Sequence, residues 1–446
     1  MKPRIMIAAP KSGSGKTTIT CGILSALKMQ GMNPCSFKCG PDYIDPMFHR
    51  RVLGIPSGNL DTFFTDDSTT RRLFAKEYSG DIAVIEGVMG LYDGVGGTEE
   101  AGSSYDLARV LDAPIILVVD AKGTGKSILA EIKGFIDYDK HHFIKGVILN
   151  RTNAAFGNKL GALIEQELKI KYIGTVPLTK EAEVSSRHLG LVMPNEIEEI
   201  QNKLSIIANA IIENLDLGLI KKIAENASKL DIIEDIGDGG HQDTVRLAVA
   251  RDKAFCFYYQ ENFNVLKESG VEIAEFSPLE DDKLPDNING LLLGGGYPEN
   301  YLKELEANAS MKTAIKESFD KGLPILAECG GFMYLLNRIY DKDGNPFEMV
   351  GAIEGEATFA GKLVRFGYVN IEDPETNLTV KGHEFHYYDT DNNGEGCVAK
   401  KPSGNRSWSC IHRGNGSWIG FPHLYYPSNP EFIKSFVEVM KNYGGY

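Results

Sequence analysis

No stretch of the 446 residues approaches the ~18 consecutive apolar residues of a membrane span. Positive charge is not in excess either: 47 Lys and Arg stand against 61 Asp and Glu, a formal net charge of −14. That balance lacks the basic surface on which sequence-independent DNA or RNA binding depends. The N-terminus shows no long apolar core and no small-residue cleavage site, so no signal peptide is expected. No internal repeat and no long low-complexity tract occurs. The seven cysteines contain no C-x-x-C pair, and Cys35 and Cys39 lack a second pair with which to build a zinc site. An odd, scattered set of thiols fits a reducing, cytoplasmic setting. What remains, at 42% hydrophobic and 24% charged residues, is the composition of a soluble globular enzyme of two or three domains.

The chain is organised around Ala8-Ala9-Pro10-Lys11-Ser12-Gly13-Ser14-Gly15-Lys16-Thr17-Thr18. An apolar run, Arg4 to Ala9, reads as a buried strand before it. Ile19, Ile23, Leu24 and Leu27 mark one face of a helix after it. Strand, Gly-rich turn and helix start form a phosphate cradle, in which backbone N–H groups and the helix dipole favour an anion. Gly13, Ser14, Gly15, Lys16, Thr17 and Thr18 are the nucleotide-binding candidates. Lys16 is expected on the terminal phosphates and the Thr17 hydroxyl on Mg²⁺. Pro10 replaces the first glycine of the usual G-x-x-x-x-G-K-[ST] string.

Further short apolar runs end in polar residues. Pro34–Cys39 leads into Lys38-Cys39-Gly40-Pro41-Asp42-Tyr43-Ile44-Asp45-Pro46, where Lys38 is a candidate for phosphate charge and Asp42 for metal. Tyr43 and Asp45 are candidate substrate contacts; the loop also reads as a plain Pro/Gly/Asp turn with solvated acids. Ile82–Glu86 places a carboxylate at a strand end, where open α/β sheets bind ligands, and Glu86 is the second candidate metal ligand. Strand patterns recur at Ile115–Asp120, Val147–Asn150 and Tyr172–Pro177, with helical patterns at Ser127–Phe135 and Leu160–Leu168. Asn150 is a candidate reader of the purine base. Six strands alternating with helices predict a parallel, doubly wound sheet.

An amphipathic stretch, Ile197–Leu215, and helix-prone residues 221–229 close the first domain, expected over 1–235. The Gly/Asp-rich stretch 236–244 reads as a linker, and a second domain is expected over 245–446, starting with a strand at Val245–Ala250. There Ile288–Leu293 runs into Gly294-Gly295-Gly296-Tyr297-Pro298-Glu299. Pro324-Ile325-Leu326-Ala327-Glu328-Cys329-Gly330-Gly331 has the order of a nucleophile elbow. The amide of Gly330 with those of Gly295 and Gly296 could form an oxyanion hole, and the following helix start is expected to lower the thiol pKa of Cys329. A cysteine nucleophile needs an imidazole base, and His383, His386, His412 and His423 all qualify. His383-x-x-His386 also reads as a metal pair that lacks a third ligand.

In combination, APKSGSGKTT, KCGPDYIDP, EGVMGLYDG, GGGYPE, AECGGFMYL, GHEFHYYD and FPHLYYPSNP resemble the cobyrinate a,c-diamide synthase family along the whole chain. The resemblance implies two α/β domains with mostly parallel, doubly wound sheets: a P-loop domain of the dethiobiotin synthetase type and a class I glutamine amidotransferase. It implies ATP-dependent amidation of the a and c carboxylates of cobyrinate with ammonia from glutamine, through an acyl phosphate, in cobalamin biosynthesis. Cys329 then matches the glutaminase nucleophile and His423 its base; Lys16, Thr17, Glu86, Lys38 and Asp42 match the ATP and Mg²⁺ residues. Ordinary class I amidotransferases carry His-x-Glu, whereas this chain has His423-Leu424-Tyr425, so the third triad member is missing. Lys11 stands where partitioning-type ATPases place a lysine that acts across a dimer. Lys11 keeps a partitioning-type ATPase open as an alternative, close relatives with the same motifs keep nickel-sirohydrochlorin open as the substrate, and a homodimer is a further expectation.

Overall fold

The computed structural model describes residues 2–177, 194–231 and 244–443. It divides into two units, Met1–Asp235 and Ile236–Tyr446. All but the last residue of the expected linker 236–244 lie outside the described residues.

In the first unit, near-continuous apolar runs become strands buried on both faces, as a parallel sheet covered by helices requires. The strands are β1 (Arg4–Ala8), β2 (Pro34–Cys39), β3 (Ser57–Leu60), β4 (Ile82–Glu86), β5 (Ile115–Asp120), β6 (Ile144–Asn150) and β7 (Lys171–Val176). Their order is β3-β2-β4-β1-β5-β6-β7, and every pairing is parallel. The chain thus leaves β1 toward one edge, returns through β4, and departs toward the other edge. This reversal falls at the C-terminal ends of β1 and β4, the usual ligand position in such sheets. Register sets Ile7 opposite Glu86 and Lys38 opposite Glu86, so three strand ends meet there.

Helix α1 (Lys16–Met29) buries Ile19, Ile23, Leu24 and Leu27 in a core shared with β1 and with Leu204, Ile207 and Ile211 of the helix Pro194–Asn214. The helix Ile128–Tyr138 falls on the expected pattern; the next helix, Ala154–Leu163, starts before the expected Leu160, and the remainder of the expected range, Ile164–Leu168, is a wider turn. Strand β3 has no counterpart in the sequence pattern. Its Ser-Gly-Asn-Leu carries one apolar residue, and it is held by its pairing with β2 at the sheet edge.

The second unit has a central sheet in the order Val271–Phe276, Val245–Ala250, Gly290–Leu293, Ile325–Glu328, Ser417–Gly420, His412–Gly414. Five of these strands run parallel and the last is antiparallel. The α/β class therefore holds, with an addition that periodicity did not foretell. An antiparallel five-stranded sheet (Ser407–Cys410, Cys397–Lys400, Arg365–Glu372, Thr379–His386, His423–Leu424) and a mixed four-stranded sheet accompany it. All seven cysteines are buried free thiols. No helix among the described residues is long and apolar enough to cross a membrane.

Candidate active sites

In the first unit, β1 gives way to a turn that closes at Gly15, whose φ of +91° is a left-handed conformation that glycine adopts without strain. Gly15 caps α1 without a side-chain hydrogen bond, and the first helical turn carries no acid. The helix start therefore keeps unfilled N–H groups, the property that makes it an anion site. Ser12, Gly13, Gly15, Lys16, Thr17 and Thr18 line one end of a cavity of about 460 Å³, within the usual span of small-molecule sites. The Lys16 amine donates to the carbonyls of Met89 and, at 3.4 Å, Lys11. Burial and the nearby Lys38 charge bring its pKa down to about 8.

The other end of the cavity holds an ion cluster. Lys38 Nζ lies 2.5 Å from Asp45, 2.8 Å from Glu86 and 3.9 Å from Asp42, and Lys38, Asp45 and Glu86 are all nearly inaccessible. Burial opposes the Lys38 charge, yet the three carboxylates raise its pKa well above the ordinary value. Burial also opposes Asp45, but Lys38 holds its carboxyl below the usual range. Glu86 goes the other way, to about 7, through burial and the charge of Asp45. Asp42 is likewise raised by burial and by Asp45; its Oδ1 accepts the N–H groups of Ile44 and Asp45, which shapes the loop. The Thr17 hydroxyl donates to Glu86 Oε1 at 2.6 Å, while Glu86 Oε2 is buried without a hydrogen-bond partner among the described residues. A hydroxyl beside a carboxylate with one unspent oxygen fits Mg²⁺, which takes one or two protein oxygens and completes its shell with phosphate and water. The described residues contain no group of three or more His, Cys, Asp or Glu such as an all-protein cage would need.

The second site gathers at the ends of Ile325–Glu328 and its neighbour Ser417–Gly420. Cys329 adopts φ +49°, ψ −103°, a strained turn between that strand and the short helix Gly330–Leu335. Its N–H donates to the Gly420 carbonyl at 2.9 Å, which pins the two strand ends together. Three residues beyond Gly420, His423 lies against Gly295 so closely that a Cβ there would sit 2.3 Å from His423 Cε1. A Cβ on Gly330 would come within 3.2 Å of the Gly296 nitrogen. Cys329, Gly330, Gly295, Gly296 and His423 thus form one constellation. The Gly294 amide is spent on the Tyr258 hydroxyl at 2.9 Å. The His423 ring stacks on His383, with centroids 4.9 Å apart, and its Nδ1 lies 3.8 Å from Glu328 Oε2. Glu299, two residues beyond Tyr297 on the same glycine loop, is raised to about 7 by burial.

Both units match known domain families. Residues 5–192 match the CobQ/CobB/MinD/ParA nucleotide binding domain, and residues 246–414 match the CobB/CobQ-like glutamine amidotransferase domain. The cobyrinate a,c-diamide synthase of Caldanaerobacter subterraneus subsp. tengcongensis is 38% identical over 449 aligned residues, covering 98% of each chain. That of Clostridium tetani is 38% identical over 97% of this chain and 99% of its own, and that of Picrophilus torridus 38% over 98% and 99%. The chain belongs to the cobyrinate a,c-diamide synthase family.

Set beside this family member's geometry, some sequence expectations need correction. The helix start was expected to lower the Cys329 thiol pKa, but burial, reinforced by Glu299, pushes it far up. Only the Gly330 amide works noticeably the other way, and the helix is one short turn and a half. Asn150 does not line the cavity: its amide donates to the Ser14 carbonyl at 2.8 Å and its oxygen accepts the Arg151 N–H at 2.9 Å, so it braces the loop from behind. Lys38 is engaged with carboxylates rather than free for phosphate. Tyr43 is buried at the start of the helix Ile44–Phe48 and does not line the cavity, whereas Asp45 does. His386 does not pair with His383: it stacks on Phe421, and its nitrogens meet Tyr388 O and Glu384. Glu328 went unnoticed, although a carboxylate directly before a candidate nucleophile at a strand end was a signal in plain view.

Proposed function

We propose that this chain amidates the a and c side-chain carboxylates of cobyrinate, using ATP to activate each carboxylate as an acyl phosphate and glutamine as the nitrogen source. The observation that carries the reading is the Cys329 elbow with His423 and the glycine loop, in the same chain as a P-loop cavity that ends in an acidic cluster. The relatives' printed names supply the macrocycle. Residues 1–235 would form the ATP-dependent amidoligase domain, 236–244 the linker and 245–446 the glutaminase. Cytoplasmic location, a homodimer and the absence of nucleic-acid and membrane partners belong to the same reading.

In the glutaminase half-reaction, His423 takes the Cys329 thiol proton as sulfur attacks the glutamine amide carbon. The amides of Gly330 and of Gly295 or Gly296 receive the oxyanion. The C–N bond then breaks, the proton passes to the leaving nitrogen as ammonia departs, and water cleaves the thioester to glutamate. In the ligase half-reaction, the α1 N–H groups and Lys16 hold the ATP phosphates while a macrocycle carboxylate oxygen attacks the γ-phosphorus and ADP leaves. Phosphate charge favours the ammonium form of Lys16 against the lowering by burial and Lys38. Thr17 and Glu86, with Asp42 near, would hold Mg²⁺, which draws charge off the phosphates when bound. Ammonia displaces phosphate from the acyl phosphate to give the amide, and the cycle repeats on the second side chain.

The test is mass gain on cobyrinate with ATP and either glutamine or ammonium chloride, with nickel-sirohydrochlorin as the competing substrate. Wild type gains two amides on cobyrinate with both donors, and Cys329→Ala does so with ammonium only. Gain on nickel-sirohydrochlorin alone, or equal loss of both donors in Cys329→Ala, refutes the reading.

A further inference from the structure

Glu328 is the last residue of its strand, 5% exposed, and directly precedes Cys329. A buried carboxylate is costly unless its oxygens find donors. Its Oε1 accepts the Leu424 N–H at 3.3 Å and the Tyr426 hydroxyl at 3.4 Å. Its Oε2 faces His423 Nδ1 at 3.8 Å. The pairing of Glu328 with Gly420 across the sheet fixes the carboxylate on one side of this contact. The pairing of His423 with His383 fixes the ring on the other. Two residues after the histidine, where His-x-Glu enzymes carry their third member, the ring of Tyr425 packs edge-on against Tyr259 instead.

We propose that Glu328 is the positioning residue for His423, and that it supplies from the neighbouring strand the carboxylate missing after the histidine. The inference rests on the reading of Cys329 and His423 as nucleophile and base. With Nδ1–H directed at Glu328, Nε2 is left to take the Cys329 proton and return it to the departing ammonia, and the imidazolium formed between those events sits beside a fixed negative charge. A contact of 3.8 Å has room to tighten as the complex with substrate forms. The other groups facing the ring do not replace this charge. His383 stacks on it but is held neutral, since burial and His423 itself push its pKa far down. The Nδ1 atom of His383 meets the Tyr259 hydroxyl at 3.2 Å, and the Tyr426 hydroxyl binds Glu328 rather than the ring. Glu299 and Glu384, and to a smaller extent Glu328 itself, act on the Cys329 thiol.

Glu328→Gln in the full chain tests the proposal, since the amide oxygen still accepts from Leu424 and Tyr426 and a purely structural role survives the change. Glutamate release is followed over glutamine concentration beside ammonia-driven amidation, with Cys329→Ala as the control. The expected result is a fall in glutamine-dependent kcat of roughly 10²-fold or more, with little change in KM. Ammonia-driven amidation should persist. A glutamine-dependent kcat like wild type, or a loss that appears in KM rather than kcat, overturns the role of Glu328, and so does loss of both nitrogen donors, which marks a structural effect. Glutamine-driven amidation surviving in Cys329→Ala instead overturns the underlying reading of the site.

Discussion

Lys38→Met removes the cation at the centre of the acidic cluster while keeping the side chain's length and apolar stem. The structure sets the size of the effect. Asp45 and Glu86 lie 2.5 and 2.8 Å from Lys38 Nζ, and their side chains are 9% and 0% exposed. Taking one partner from a buried ion pair leaves the other charge uncompensated, at a cost of about 3–5 kcal/mol. The carboxylates escape part of that cost by taking up protons, since burial already raises Glu86 to about 7 with Lys38 in place. Without Lys38 the folded unit binds more protons than the unfolded chain, so its stability falls as pH rises. The deficit of the variant should therefore be larger at pH 8.5 than at pH 6. The only two tryptophans, Trp408 and Trp418, lie in the second unit, so their fluorescence does not report this change. Hydrogen exchange of the β2 and β4 amides does. Protection in those strands should drop by about the energy above at pH 8.5 and recover partly at pH 6. Amidation should be lost with glutamine and with ammonium alike. Unchanged protection at pH 8.5 would refute the view of Lys38 as the counter-ion of this cluster.

Lys16→Ala should lower amidation by roughly 10²-fold or more with either nitrogen donor, since both need the acyl phosphate; glutamate release by Cys329 should remain measurable, and full amidation at subsaturating ATP would exclude this loop as the activating site. The Cys329 thiol, kept protonated by burial and Glu299, should react slowly with iodoacetamide at pH 7.5 and faster as pH rises. Glu299→Gln should speed that reaction at neutral pH, and an unchanged rate would show that Glu299 does not govern the thiol. His49 is fully buried and its pKa is lowered from 6.5 to about 4, chiefly by burial. A depressed folded-state pKa means that its contribution is present above pH 6.5 and lost as pH falls toward 4, amounting to about 3 kcal/mol at the limit. Urea unfolding of His49→Gln should show a correspondingly shallower loss between those pH values; a parallel pH dependence would contradict it.

Local pattern alone disclosed the parts of this protein that lie along single strand–turn–helix units. The phosphate loop, Glu86 and Cys329 each follow an apolar run and precede a glycine turn, and the backbone of a few consecutive residues suffices to build such a feature. The alternation of near-continuous apolar runs with helical patterns likewise foretold the α/β class, because strands buried on both faces must be apolar throughout. Tertiary structure decided whatever depends on which strand lies beside which. Lys38 and Glu86 are 48 residues apart, and only the insertion of β4 between β2 and β1 makes them neighbours. Strand β3, with a single apolar residue, exists because β2 offers it an edge. Asn150 became a brace on the phosphate loop through the position of β6, and Glu328 came to face His423 through the pairing of Ile325–Glu328 with Ser417–Gly420. The thiol of Cys329 shows the same division in its energetics. Sequence identifies the helix start that favours a thiolate, but burial is a property of the packed surroundings and it prevails.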